Sequence, residues 1–459
     1  MTLKKIYTLK NILLAGFVAS AIGMSGCNKS TNVDPVAPSA ATVPVLANLT
    51  STGVQASGML TDYGSSPNLT ALGVVYSASN ANPTISDLKG SAATGINFKS
   101  DVTGLAPNTT YYLRTYATTD AGTGYGNVVT FKTSASAADT SVTVTTLAGS
   151  GTAGLANGTG TNAAFNSPNG TAVDAQGNIY VTDSFNHLIR KITPAGVVTT
   201  FAGNGALGFS GGTATTAQFY SPNGITTDAA GNVYVSDLGN NAIYKITSTG
   251  TVTIIAGSGS AGYVNGAGSV AAFNAPQGLV ADASGNVYVA DQGNNRIRKI
   301  TSAGVVSTLA GTGAGGNING DGSTATLNRP YGLAIDASGN LYVTDQGNYA
   351  VRKVTSAGVV SLLIGTSITT GLLNTPTGIA IDSQGTLYIT DQSGRILTIT
   401  AANVLYTLAG KANTSGFADG SKSTAQFSGP TGIAVDASKN IYVADLNNNR
   451  IRKLVVTTK

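Results

Sequence analysis

A chain of 459 residues is too long for one ordinary core and suits two or three domains. Only 10% of it is charged, against about a quarter in an average globular domain, while 59 glycines supply turns for many short strands. All 20 acidic residues are Asp, beside one His and one Cys, which excludes an internal disulfide and argues against a metal centre built from several histidines or a glutamate.

Lys4, Lys5 and Lys10 precede an apolar stretch over 12–24 and then Ser25-Gly26-Cys27. A basic start followed by an apolar run too short to span a bilayer reads as a secretory signal over 1–26. Met24-Ser25-Gly26-Cys27 resembles the lipobox of bacterial lipoproteins, which implies cleavage before Cys27 and lipid attachment to its thiol. On that reading the protein is lipid-anchored in the cell envelope, at the outer membrane, facing either the periplasm or the exterior. Removing the leader takes three of the 25 basic residues and leaves 22 against 20 acidic ones, so the net charge of +5 does not mark a nucleic-acid binder. Residues 27–42, rich in Ser, Thr, Pro and Ala, predict a flexible tether.

Apolar runs at 54–60, 72–76, 96–102, 111–117 and 128–131, separated by turn residues, predict a β-sandwich over 43–134. Within it the run from Leu105-Ala106-Pro107 to Tyr111-Tyr112-Leu113 resembles the tyrosine-corner segment of fibronectin type III domains, which implies that Tyr111 stands at the corner. The Trp expected on an early strand of that family is absent. Small residues at 135–140 form a linker.

One cassette then recurs six times: Pro-x-Gly, an apolar strand ending in Asp, a turn, Tyr inside a second apolar strand, and another Asp. Its prolines fall at Pro168, Pro222, Pro276, Pro330, Pro376 and Pro430, offset by 54 residues except for one step of 46. A period that long, filled with short strands, predicts propeller blades. Asp-Ala-Ser-Gly-Asn at 282–286 is hairpin chemistry, with Lys439 replacing the Gly in the sixth copy. Tyr180, Tyr234, Tyr288, Tyr342, Tyr388 and Tyr442, with Phe165, Phe219, Phe273, Leu327, Leu373 and Phe427, are predicted core. Together the cassettes resemble the NHL repeat. The fold expected is therefore all-β, a six-bladed NHL propeller over 141–459 behind a fibronectin type III-like sandwich. The fifth copy departs most, with Thr386 for Asn, a shortened turn before Arg395 and Thr398 for Lys. An outer strand follows each of the first five cassettes but not the sixth, so the strand at 142–147 is expected to complete the last blade and leave no open edge.

Asp183, Asp237, Asp291, Asp345, Asp391 and Asp445 end the second strands and could ring a channel mouth, but a residue needed in every copy is read as structural, holding the following turn. Arg190, Arg298, Arg352 and Arg452, with Lys191, Lys245, Lys299, Lys353 and Lys453, are expected to form a solvated basic belt on an outer strand. Some NHL propellers bind RNA on a basic face. Here the belt lacks interleaved aromatics and the protein reads as exported, so no nucleic acid is expected as partner. Asn317 to Gly322 loosely resembles the start of a calcium loop, but with Asp321 as its single carboxylate it is not read as a metal site. No metal or cofactor is expected.

Ligand-binding candidates lie where the repeat symmetry breaks, on the face made by the second-to-third-strand turns and the long Gly-rich connections: Phe185, His187, Tyr220, Tyr263, Arg329, Tyr331, Tyr349 and Arg395. The shortened connection before the fifth copy would notch that rim. The sequence thus predicts a non-catalytic, monomeric binding or scaffold protein that presents this face to a protein or glycan. The alternative is a propeller lyase or hydrolase, similar to streptogramin lyases or gluconolactonases, using the same face. Amidoglycolate lyases need several histidines and such lactonases a metal-ligating Glu, leaving His187 as the one candidate general base. Its place after Asn186, equivalent to Asn241, Asn295, Tyr349 and Asn449, reads more simply as a turn position.

Overall fold

The computed structural model describes residues 35–133 and 140–458, apart from 48, 51, 67, 366–371 and 402. The predicted signal segment, Cys27 and most of the linker lie outside the described residues.

Eight strands form the first unit: β1 (Ser39–Ala47), β2 (Gly53–Asp62), β3 (Leu69–Ser77), β4 (Leu88–Lys89), β5 (Asn97–Thr103), β6 (Thr110–Thr119), β7 (Gly122–Tyr125) and β8 (Val129–Lys132). One sheet runs β1-β2-β5, the other β4-β3-β6-β7 with β8 also on β6. Alternation sets the inner faces: on β5, Phe98, Ser100 and Val102 point in while their neighbours are exposed. Tyr111 stacks on Phe131 and accepts a 2.9 Å hydrogen bond from the Ala106 N–H, so its hydroxyl ties the strand entrance to the preceding loop. β1 begins within the segment predicted as tether. Ala40 pairs with Leu60, and the Thr42 hydroxyl meets that of Thr115, so small residues that look like linker bury themselves against a partner strand.

The second unit contains six antiparallel sheets. Their inner strands are Pro168–Val173, Pro222–Thr227, Pro276–Ala281, Pro330–Ile335, Pro376–Ile381 and Pro430–Val435, and each touches the next in cyclic order, the sixth returning to the first. The last sheet borrows its outer strand: β9 (Thr140–Ala148) pairs antiparallel with Arg450–Thr458, setting Val144 opposite Leu454 and Val142 opposite Val456. Both ends of the unit thereby share one sheet.

The glycine of Pro-x-Gly is dictated by this ring. A Cβ on Gly170 would lie 2.3 Å from the Asn223 carbonyl oxygen of the next repeat, and Gly224, Gly278, Gly332, Gly378 and Gly432 repeat the contact around the circle, ending on Asn169. Backbone approaches backbone too closely for any side chain. Hydroxyls reinforce the same seam, with Thr182 donating to the Asn223 carbonyl at 2.6 Å and Thr344 to that of Thr377 at 2.5 Å. Phe165, Phe219, Phe273, Leu327, Leu373 and Phe427 are wholly buried, and the six tyrosines wedge between neighbouring sheets.

The basic belt is a misreading. Arg190, Arg298, Arg352 and Arg452 are completely or almost completely buried. The third strand lies between the second and outer strands, so alternate side chains project into the sheet-to-connection seam rather than to water. The lysines beside them do reach the surface, each with its ammonium about one ring-contact away from the repeat's tyrosine, as Lys191 is from Tyr180 at 5.6 Å.

Candidate functional site

The second-strand aspartates are consumed by folding. Asp183 accepts from the Asn166 N–H at 2.7 Å, from the Asn186 side chain at 2.8 Å and from the Arg190 guanidinium at 2.7 Å. That guanidinium continues to the Ala164 and Ala156 carbonyls and to Asn157, stitching the long connection onto the sheet. Burial pushes the carboxyls of Asp183, Asp291, Asp345 and Asp445 up, and the amide donors and guanidinium of each repeat oppose it. In the fifth repeat Arg395, four residues after Asp391 instead of seven, reaches it at 2.8 Å. Burial of Asp391 pushes its carboxyl up, but the Arg395 charge and the hydrogen bonds from the Asn374 and Ser393 N–H groups and the Arg395 side chain together hold it low. Arg395, a predicted ligand contact, is therefore placed in this structural pairing.

The second repeat breaks the rule. Tyr244 occupies the arginine position, and fully buried Asp237 accepts from the Tyr220 N–H, the Asn240 N–H and the Asn240 side chain, with the Gly239 N–H also bonding it and no guanidinium beside it. Burial pushes its carboxyl up to about 7.

His187 sits in left-handed backbone, φ 56°, where Asn241, Asn295, Tyr349 and Asn449 stand in other repeats with φ between 49° and 53°. Its Nδ1 accepts from the Ser221 N–H of the next repeat at 3.2 Å. The Asn241, Asn295 and Asn449 side chains make the same bond to Ala275, Arg329 and Ser167. His187 thus performs an asparagine's task, while Tyr349 cannot and Thr375 turns to Asp391 instead. Exposed Arg329 is held by its backbone in this staple.

Of the remaining candidates, Phe185 and Tyr220 are exposed near His187, whose ring lies edge-on to Tyr220 at 6.0 Å. Tyr331 instead enters the central channel: its hydroxyl donates to Asn169 Oδ1 on the far side of the ring at 3.2 Å. Around it, a cavity of about 280 Å³ is lined by the inner strands, largely by backbone and aliphatic groups. The predicted residues therefore divide among exposed groups, a channel plug and structural pairings, with Tyr349 filling the turn position without the staple, and they do not converge.

The predicted candidate Tyr263 belongs to a second exposed set whose other members went unrecognised in the sequence. The turn asparagines Asn186, Asn240, Asn294 and Asn448 donate to the carbonyls of Gly154, Gly208, Gly262 and Gly416 in the long connections. Directly after those glycines stand Leu155, Phe209, Tyr263 and Phe417, all exposed. The Arg296 guanidinium lies 3.8 Å from the Tyr263 ring centre and that of Arg450 3.8 Å from the Phe417 ring centre, each donating to the next connection, at the Thr312 and Ser150 carbonyls. Cation–π contact and a tethered guanidinium fix the ring's orientation while leaving its outer side to solvent. Tyr263 also bonds the Thr308 hydroxyl at 2.8 Å, and that contact first, then the nearby arginines, hold its phenol below the ordinary value. The signal was legible as a large residue after Gly at one fixed place in four connections. Among the described residues, no three His, Cys, Asp or Glu side chains gather as a metal site.

Comparison with known families matches the NHL repeat at residues 165–192, 273–300 and 427–454. The chain carries NHL repeats. A strictosidine synthase-like N-terminal model also matches at 368–399, the divergent fifth repeat. Protein SUPPRESSOR OF QUENCHING 1 of Arabidopsis thaliana is 27% identical over 321 residues, covering 66% of this chain and 26% of that protein. Teneurin-1 of Gallus gallus is 28% identical over 229 residues, covering 43% of this chain and 8% of that one. The chain thus spans about a quarter or less of the length of these curated relatives. A solved Bacteroides thetaiotaomicron protein of unknown function shares the fold at a TM-score of 0.53 and 19% identity, over 93% of this chain and 99% of that one.

Proposed function

We propose that this NHL propeller is a six-bladed, non-catalytic binding or scaffold module, exported and lipid-anchored through Cys27, with a fibronectin type III-like sandwich in front of it. The Tyr111-to-Ala106 bond supports the sandwich reading. The observation that carries the binding reading is the row of aromatic platforms on the connection face, Phe209, Tyr263 and Phe417, the last two backed by guanidinium groups. Exposed rings, that of Tyr263 beside Thr308 and Asn265, suit the apolar face of a sugar or a peptide backbone. The rival lyase or hydrolase reading depends on His187, whose Nδ1 is already occupied by the Ser221 N–H.

Glycan and protein arrays probed with the mature chain test this. Tyr263→Ala and Phe417→Ala are expected to lower binding on the order of tenfold each, about 1.4 kcal/mol, with melting temperature little changed. Binding that survives both changes would remove the connection face from the reading. A turnover activity abolished by His187→Ala and equally by His187→Asn would move the protein to the enzyme class.

A further inference from the structure

The fifth repeat differs from the others in three ways that meet at one sheet edge. First, the connection preceding its inner strand is eight residues shorter than the 54-residue period of the other repeats requires. In the first, second, third and sixth repeats that connection supplies a two-residue strand that pairs along the outer strand: Gly158–Thr159 against Val198 and Val197, Gly212–Thr213 against Val252 and Thr251, Gly266–Ala267 against Val306 and Val305, and Gly420–Ser421 against β9. In the fourth a single bridge joins Gly320 to Val360. Among the described residues no such pairing covers the fifth outer strand, Leu405–Gly410.

Second, that edge is covered by another part of the chain. Leu46 of β1 bridges Val404 in parallel, and Val404 is the residue equivalent to Val197, Thr251 and Val305. Those positions are open to solvent: Val197, Val305 and Val359 are 38%, 47% and 40% exposed, whereas Val404 is 3% exposed and packs within the core of the sandwich. Third, the outer strand itself is more apolar, with half-buried Tyr406 where the other repeats have Thr or Ser, and Thr398 opposite it where they have Lys.

We propose that the fifth blade is a docking port for the chain's own sandwich: Val404, at the start of its outer strand, receives Leu46 of β1 and is buried in the sandwich core, where the equivalent valines of other repeats face solvent. Strand addition at a sheet edge joins main chain to main chain, and the occupant here is seated by both the bridge and the apolar contact of Leu46 with Val404. The sandwich is then no free spacer. It holds the propeller's connection face at a set angle, and the shortened rim serves an intramolecular joint instead of a ligand notch.

The test uses the full mature chain carrying Val404→Lys, with Val305→Lys at the equivalent exposed place in the third repeat as control. Val404→Lys is expected to raise the radius of gyration in small-angle scattering and to speed amide exchange across Leu46 on the order of tenfold or more, while Val305→Lys changes neither. Identical scattering and exchange in both variants would overturn the proposal. Should Val404→Lys fail to fold, a Leu46→Cys/Val404→Cys pair in a Cys27→Ser background decides. Rapid closure of the disulfide, absent from a Leu88→Cys/Val404→Cys control, supports docking, and failure to close overturns it.

Discussion

Asp237 shows what a single departure from a repeat does. Five repeats set a guanidinium against the buried carboxylate, and the second sets Tyr244 there. Because the folded carboxyl titrates near 7 and an ordinary one at 3.8, the folded chain holds a proton between those values that the unfolded chain has released. Stability therefore falls as pH rises through that window, by up to about 1.4 kcal/mol per unit. Asp237→Asn is expected to be increasingly stabilising, relative to the wild type, from pH 5 to pH 8 in thermal melts, and a constant difference would refute the assignment. At His187 the staple to Ser221 depends on an acceptor, so His187→Asn should keep the wild-type midpoint in urea while His187→Ala loses about 1 kcal/mol. Lys439 keeps the turn of the other repeats at φ 64°, its N–H bonding the Asp436 carbonyl at 2.9 Å as Gly177 bonds Asp174 at 3.0 Å. Its ammonium reaches Asp382 of the fifth repeat at 3.4 Å, beside the place where Thr398 has lost a lysine. Strain and ion pair oppose each other, so Lys439→Gly should stay within about 1 kcal/mol of neutral.

At the level of elements, the inner strands owe their spacing to the Pro-x-Gly glycines. Gly224→Ala would drive a methyl to 2.3 Å from the Gln277 carbonyl oxygen and 2.9 Å from the Gly278 Cα, backbone that cannot yield as a side chain could, with the Ser236 hydroxyl also at 2.8 Å. A loss of roughly 3 kcal/mol or more is expected in chemical denaturation, against a fraction of that for an alanine in an exposed connection. Strand positions, turn residues and the core tyrosines were legible because period-2 alternation and Asp-x-x-Gly-Asn turns are local signals. The arginines were not, since Ile-Arg-Lys-Ile reads as two basic residues on one strand. Only the overlying connection, whose Ala156 and Ala164 carbonyls meet Arg190, turns the first of them into a buried anchor. β1 was missed for the converse reason: Ser, Ala and Thr look like tether until a neighbouring strand covers them.

For the whole molecule, closure rests on β9 and Arg450–Thr458, which lie more than three hundred residues apart in sequence yet pair from Ala148 with Ile451 to Thr140 with Thr458. Val144→Asp places a charge in the wholly buried seam beside Leu454. It is expected to lower the melting temperature by more than 5 °C and to blur the unfolding transition, as the ring opens at that sheet before any other. The same substitution at exposed Val305 should leave the melt unchanged. Repeat number, strand order and the closing strand were determined by the sequence alone, because identical cassettes must bury identical faces and a missing outer strand has one candidate to replace it. Which polar groups remain available to a ligand was decided by the tertiary structure. Burial spends Asp183, Arg190 and His187 on seams between repeats, sends Tyr331 into the channel, and leaves Phe209, Tyr263 and Phe417 facing water, and none of these fates is written in a residue's own neighbourhood.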